Sequence, residues 1–208
     1  MSSIAPCVTA TKNPSLIVHR NVDVKTWLQR PPTVEEARPR RCPRCDAASR
    51  PVGCGLGLHG HGLRDRMILG PLAVGDASTE TWIACRRYRC TTCDAVLMVV
   101  PCGLEPRRHY GRAAICLALG LWAIAGHPTT AVRARLGTCR ATSTTSWRTV
   151  RRWAAAAGAG VWSWCTAATG LAPRAAAARA VQIAAGRAPP MTPGAIWEQA
   201  CAGGATLR

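Results

Sequence analysis

Arg40-Arg41-Cys42-Pro43-Arg44-Cys45-Asp46 and Arg89-Cys90-Thr91-Thr92-Cys93-Asp94 repeat one pattern: Cys-x-x-Cys, then Asp, with Arg in front. Two such turns offer four thiolates, the donor set of a closed, tetrahedral Zn²⁺ site. Asp after the second Cys suits a left-handed turn residue, which Asp or Asn adopts more readily than most non-glycine residues. Cys42, Cys45, Cys90 and Cys93 are therefore the expected metal ligands, and structural Zn²⁺ the expected cofactor. The gap from Cys45 to Cys90 exceeds the roughly 15–20 residues common between ribbon pairs, so a long hairpin is expected between them. The plain alternative is two unrelated structural or redox pairs. A redox Cys-x-x-Cys, however, usually sits at a helix start after a strand. These two sit among arginines and turn residues.

The rest of the composition fits a small module. The chain has 208 residues and 12 cysteines but no Phe, and Ala inflates its 48% hydrophobic content. Its net charge of +17 comes from 27 Lys and Arg against 10 Asp and Glu. That field favours a polyanionic partner, nucleic acid before membrane surface. A GC-rich genome that enriches Arg, Ala and Gly is the bland explanation of the same numbers. Met1 to Ala10 has neither a basic start nor an apolar run, so a cytoplasmic chain with metal-bound rather than disulfide-bonded cysteines is expected. The apolar run Ala113 to Gly126 falls short of the roughly 20 residues a bilayer span needs and reads as a buried helix. No membrane partner is expected.

Along the chain the expected class is α+β: a small antiparallel zinc ribbon, then a helix-turn-helix-like domain, with flexible termini. Residues 1–39 read as a partly ordered leader, with Leu16-Ile17-Val18 as a short strand and Val22 to Leu28 as a helical turn. Residues 40–105 form the ribbon. Gly53 to Gly62, which contains Cys54, His59 and His61, reads as an exposed polar loop. Arg64 to Leu69, Thr81 to Cys90 and Ala95 to Val100 read as strands. Cys85 falls inside a strand and reads as packed rather than ligating. Residues 106–158 are helical: Tyr110 to Gly126, Thr129 to Leu136, and Thr144 to Ala157 with Ser143 or Thr144 as N-cap. Residues 159–208, rich in Ala, Gly and Pro, read as a tail of marginal helix and disorder.

The third of these helices carries the expected nucleic-acid face. Trp147, Val150 and Trp153 fall at inward spacings, which leaves Arg148, Arg151 and Arg152 together on the outside. Thr144 and Thr145 at its start would meet phosphates or base edges, as a recognition helix does in the major groove. Arg107, Arg108, Arg112, Arg133 and Arg135 would add phosphate contacts. Double-stranded DNA is the expected partner. The alternative is a zinc-stabilised protein-interaction module whose charge is incidental.

From Cys42-Pro43-Arg44-Cys45, through a hairpin, to Arg86-Arg87-Tyr88-Arg89-Cys90 and the basic helices, the chain resembles the N-terminal region of bacterial insertion-sequence transposases and related transposon-associated zinc-binding domains. The likeness covers residues 40–155. It implies a zinc ribbon and helix-turn-helix that recognise transposon-end DNA ahead of an RNase H-like catalytic domain. The chain departs from that pattern in its knuckle spacing and in lacking the usual Gly after each knuckle. After Glu105 the only acid is Glu198, so the carboxylate triad that such catalysis needs cannot be drawn. No enzyme activity is expected here; a homodimer or a separate catalytic partner is the further partner expected.

Overall fold

A computed structural model of the chain describes residues 16–106, 108–137 and 147–207. The elements are β1 (Leu16–Arg20), α1 (Val24–Gln29), β2 (Leu58–Gly70), β3 (Thr79–Cys90), β4 (Val96–Pro101), α2 (Arg112–Ala123), α3 (Thr129–Leu136), α4 (Arg148–Gly158), α5 (Pro173–Ala185) and α6 (Ile196–Thr206). The fold is α+β, with one mixed sheet in the order β1-β4-β3-β2.

β2, β3 and β4 pair antiparallel, β2 carrying a bulge between Gly60 and Leu63. β1 departs from the expected ribbon: it pairs parallel with β4, Leu16 opposite Leu97 and Arg20 opposite Pro101. The leader is thus built into the sheet from residue 16 onward. Asp23 caps α1 by accepting from the Thr26 backbone N–H at 3.0 Å and the Thr26 hydroxyl at 2.6 Å. α1 then lays Trp27 on the sheet, its indole N–H donating to the Ala84 carbonyl at 3.1 Å. The Tyr88 hydroxyl, from β3, donates to the Val34 carbonyl at 2.6 Å. The glycine-rich stretch expected as a loop is β-strand from Leu58 onward, because its alternate carbonyls and amides find partners on β3.

Two apolar cores result. One centres on the sheet, with Trp27, Leu58, Ile68, Ile83, Tyr88 and Leu97. The other lies among the helices, with Ile115, Leu119, Val150, Trp153, Trp162 and Val181. α2 is the helical hub and packs against α3, α4, α5 and α6. Among the described residues no helix is long and apolar enough to cross a membrane.

The C-terminal segment differs most from expectation. α5 and α6 are packed, with Ala176, Ala177, Ala180, Ala184, Ala200 and Cys201 buried. Small side chains are the reason. A Cβ on Gly204 would lie 2.9 Å from the Arg112 carbonyl oxygen, so α6 meets the start of α2 backbone to backbone. The chain end is also fastened to the sheet exit, where the Gly103 N–H donates to the Leu207 carbonyl at 2.8 Å. Alanine and glycine, which read as weak core formers one at a time, bury helices well when the helices approach this closely.

Candidate metal centre and basic helical face

The two cysteine turns are built identically. In the first, the Cys42 N–H donates to the Ala47 carbonyl and the Asp46 N–H to the Cys42 carbonyl, both at 2.9 Å. In the second, the Cys90 N–H donates to the Ala95 carbonyl and the Asp94 N–H to the Cys90 carbonyl, both at 3.0 Å. Asp46 and Asp94 both have φ of 59°. Each Asp is held by the arginine before its turn: Arg41 meets Asp46 at 2.8 Å and Arg89 meets Asp94 at 2.6 Å. Arg41 bridges to Ala48 as Arg89 pairs with Val96. These two arginines therefore serve the Asp side chains of the turns.

Gly57 joins the halves. Its N–H donates to the Ser49 carbonyl at 2.9 Å, next to the first turn, and its carbonyl accepts from the Thr91 N–H at 3.0 Å, inside the second. A Cβ at Gly57 would run into the Ala48 carbonyl, so the close approach requires glycine.

The four sulfurs converge. Their ligand atoms all lie within 4.8 Å of one another. Cys42 Sγ is 3.7 Å from Cys93 Sγ, and Cys45 Sγ is 3.7 Å from Cys90 Sγ. A tetrahedron with metal–sulfur bonds of about 2.3 Å has edges of roughly 3.8 Å. A disulfide would need a separation of about 2.05 Å. The donor set thus fits one metal ion such as zinc. Cys42 and Cys90 are buried, Cys93 is half-buried and Cys45 is exposed, so the site opens on one corner only. Burial raises the Cys90 thiol, but backbone N–H groups of Cys93 and Thr92 and the neighbouring thiols bring it down to about 7. The Cys93 thiol gains from the Ala95 N–H, yet burial and the three other sulfurs push it up to about 12. Crowded sulfurs that resist ionising together are relieved by a cation, the usual coupling of metal binding to proton release.

Among the described residues, no other His, Cys, Asp or Glu joins this cluster. Cys54 is exposed, and His59 and His61 lie exposed on β2. Cys85 is buried in β3, its thiol pushed up to about 11 by burial.

The basic helical residues divide. On α4, Arg148, Arg151 and Arg152 are exposed while Val150, Trp153, Ala154 and Ala157 are buried. α4 starts at Arg148 with Trp147 as its N-cap, later than expected. Trp147 instead joins an edge-to-face trio with Tyr110 and Trp153, with ring centroids 5.1 to 5.7 Å apart. Arg135 on α3 and Arg108 before α2 are exposed, and Arg133 is half-buried. Arg107, Thr144 and Thr145 lie outside the described residues, as does the α3–α4 connection.

Arg112 is a correction. Its side chain is 1% exposed and pairs with buried Glu105, Nε to Oε2 at 2.8 Å. The Trp164 indole N–H donates to the same oxygen at 3.2 Å. Arg112 therefore cannot reach a phosphate from this position. Nothing local in the sequence pairs Glu105 or Trp164 with Arg112. The usable signal was Glu105 itself, the lone acid in a long basic and apolar stretch.

A family model described as a domain of unknown function, DUF6431, matches residues 51–153. The match takes in β2 to α3 and the start of α4, including Cys90 and Cys93, and begins after Cys42 and Cys45. No curated protein and no solved structure matches the chain.

Proposed function

We propose that this protein is a DNA-binding module whose sheet is fastened by a structural zinc ion and whose duplex-reading surface is α4. The observation that carries the reading is the division of α4 into a fully buried apolar side and an exposed side bearing Arg148, Arg151 and Arg152. None of these three has an ion-pair partner among the described residues. Exposed, uncompensated guanidinium groups on a chain of charge +17 favour phosphate contact. Arg135 and Arg108 are exposed as well and would add to the positive field. α3 and α4, which both pack on α2, stand in for the two helices of a helix-turn-helix. Zinc is favoured over other ions because four thiolates in a tetrahedron suit it and redox chemistry is not needed for a structural role.

In this reading the module descends from a transposase recognition region, acts without a catalytic site of its own, and recognises mobile-element DNA as a homodimer or beside a separate catalytic partner. Fluorescence anisotropy with a labelled DNA duplex across a salt series tests the core of it. The wild-type affinity falls steeply with salt. Arg151→Ala combined with Arg152→Ala weakens binding and lowers the slope of log K against log salt by about 2, near one per phosphate contact. Salt-insensitive binding, or none, removes the reading and leaves the protein-interaction alternative.

A further inference from the structure

β2 closes one side of the sheet, and part of its outer edge is open. Towards its end the edge is occupied: the Leu69 N–H turns away from β3 and donates to the His109 carbonyl at 2.8 Å. Inward and outward backbone groups alternate along an antiparallel strand. The pairing with β3 is regular from Leu63 to Gly70, so Leu63, Asp65 and Met67 also turn their N–H and C=O groups outward. No group among the described residues meets them. The bulge after Gly60 bounds this open stretch at one end, and the His109–Tyr110 segment bounds it at the other.

The register sorts the side chains beside the open edge. On one face Leu63 and Met67 flank Asp65, and Trp82 stands opposite Met67. Leu63 is 52% and Trp82 60% exposed. On the other face lie Arg64 and Arg66. Arg66 donates to the backbone carbonyls of Glu105 and Arg108, the latter at 2.9 Å. Arg64, Arg66 and Arg108 line one cavity of about 480 Å³. Arg64 and Arg108 are exposed and have no ion-pair partner among the described residues. One face of the edge is thus apolar around a single acid, and the other is basic.

The chemistry selects the occupant. Phosphate oxygens would meet the outward carbonyls as well as the amides, whereas a second peptide backbone satisfies both. A second copy of β2 does not fit. The antiparallel register that pairs Leu63–Met67 with itself sets Asp65 against Asp65 and Arg64 against Arg66, and like charges directly opposite are destabilising. We infer that the Leu63–Met67 edge takes an extended segment of a different protein as an added strand, with acidic residues facing Arg64 and Arg66 and apolar residues facing Leu63 and Met67. The recognised pattern is apolar-acid-polar-acid-apolar, its central residue opposite Asp65. This inference uses none of the α4 arginines and holds or fails apart from the duplex reading.

Fluorescence anisotropy of the full-length, zinc-loaded chain with a labelled peptide carrying Val-Glu-Thr-Glu-Val tests it. The scrambled Glu-Glu-Thr-Val-Val and the charge-reversed Val-Lys-Thr-Lys-Val peptides bind about tenfold more weakly or worse. Asp65→Pro removes one outward N–H without touching a bond to β3, so near-UV CD is kept while affinity for the Glu peptide falls about tenfold. Asp65→Asn, which keeps the N–H, does not weaken it. Arg64→Glu reverses the preference between the Glu and Lys peptides. N-methylation of alternate peptide amides weakens binding in one of its two phases only, a result that decides the matter even where Asp65→Pro fails to fold. No binding of the Glu peptide at about 1 mM, equal binding of the scrambled peptide, wild-type affinity in folded Asp65→Pro, or indifference to both methylation phases overturns the inference. Oligothymidylate that displaces the peptide and binds Asp65→Pro unchanged marks the edge as a nucleic-acid surface and overturns it as well.

Discussion

Arg112 Nε lies 2.8 Å from Glu105 Oε2, with both side chains almost fully buried at the place where the sheet hands over to the helices. The pair joins the segment after β4 to the first turn of α2, and Trp164 from the loop after α4 adds a third tie. One amino group of Arg112, Nη1, has no hydrogen-bond partner among the described residues, so the pair is a costly arrangement that depends on both members.

Removing one member is therefore expected to cost far more than replacing both. Arg112→Ala lowers the free energy of unfolding by about 3–5 kcal/mol, because Glu105 is left buried and unpaired. Glu105→Leu with Arg112→Met costs much less than either single change. Urea unfolding of the three proteins measures this. Near-wild-type stability of Arg112→Ala would contradict the buried placement. The double variant also keeps its duplex affinity, since Arg112 is not on the basic face.

The left-handed Asp at each cysteine turn sets a ranked expectation. At φ of 59° a β-branched residue is strained, whereas Gly and Asn are accommodated. Asp94→Val lowers the melting temperature by roughly 2–8 °C and weakens metal retention. Asp94→Asn and Asp94→Gly change either by little. Equal behaviour of the three variants in a thermal melt and a chelator challenge would mean that the turn geometry is not as described.

His19 on β1 gives the chain an acid-sensitive point. Burial, then the nearby Arg112 and Arg66, hold its imidazole down to about 4 from the usual 6.5, despite the Pro101 carbonyl at 3.4 Å that favours the protonated ring. The unfolded chain then binds the extra proton first. Stability from this group is full above about 6.5 and falls as pH drops towards about 4. His19→Leu removes that component, so its stability declines less over the same interval at equal zinc. Parallel pH profiles for the two proteins would contradict the assignment.

Much of this architecture was legible in the chain, for identifiable reasons. The knuckles announced themselves because Cys-x-x-Cys-Asp is short and its chemistry local. The inward spacing of Val150 and Trp153 separated the faces of α4. Parallel pairing of β1 with β4 was not legible, because nothing local in Leu16–Arg20 names a partner far along the chain. Nor was the packing of α5 and α6, where alanines and glycines give weak periodicity but allow close backbone approach. Arg112 misled for a related reason. An arginine among arginines reads as surface, and only the fold brings Glu105 and Trp164 to it.

The convergence of the cysteine turns on one metal ion is the claim on which the fastening of the sheet depends. Native mass spectrometry with zinc-edge X-ray absorption on the purified chain tests it most directly. The account predicts one zinc per chain, four sulfur neighbours at about 2.3 Å, and loss of the ion with loss of near-UV CD in Cys42→Ser with Cys93→Ser. A metal-free chain that retains the wild-type CD spectrum, or zinc with nitrogen or oxygen neighbours, would contradict it.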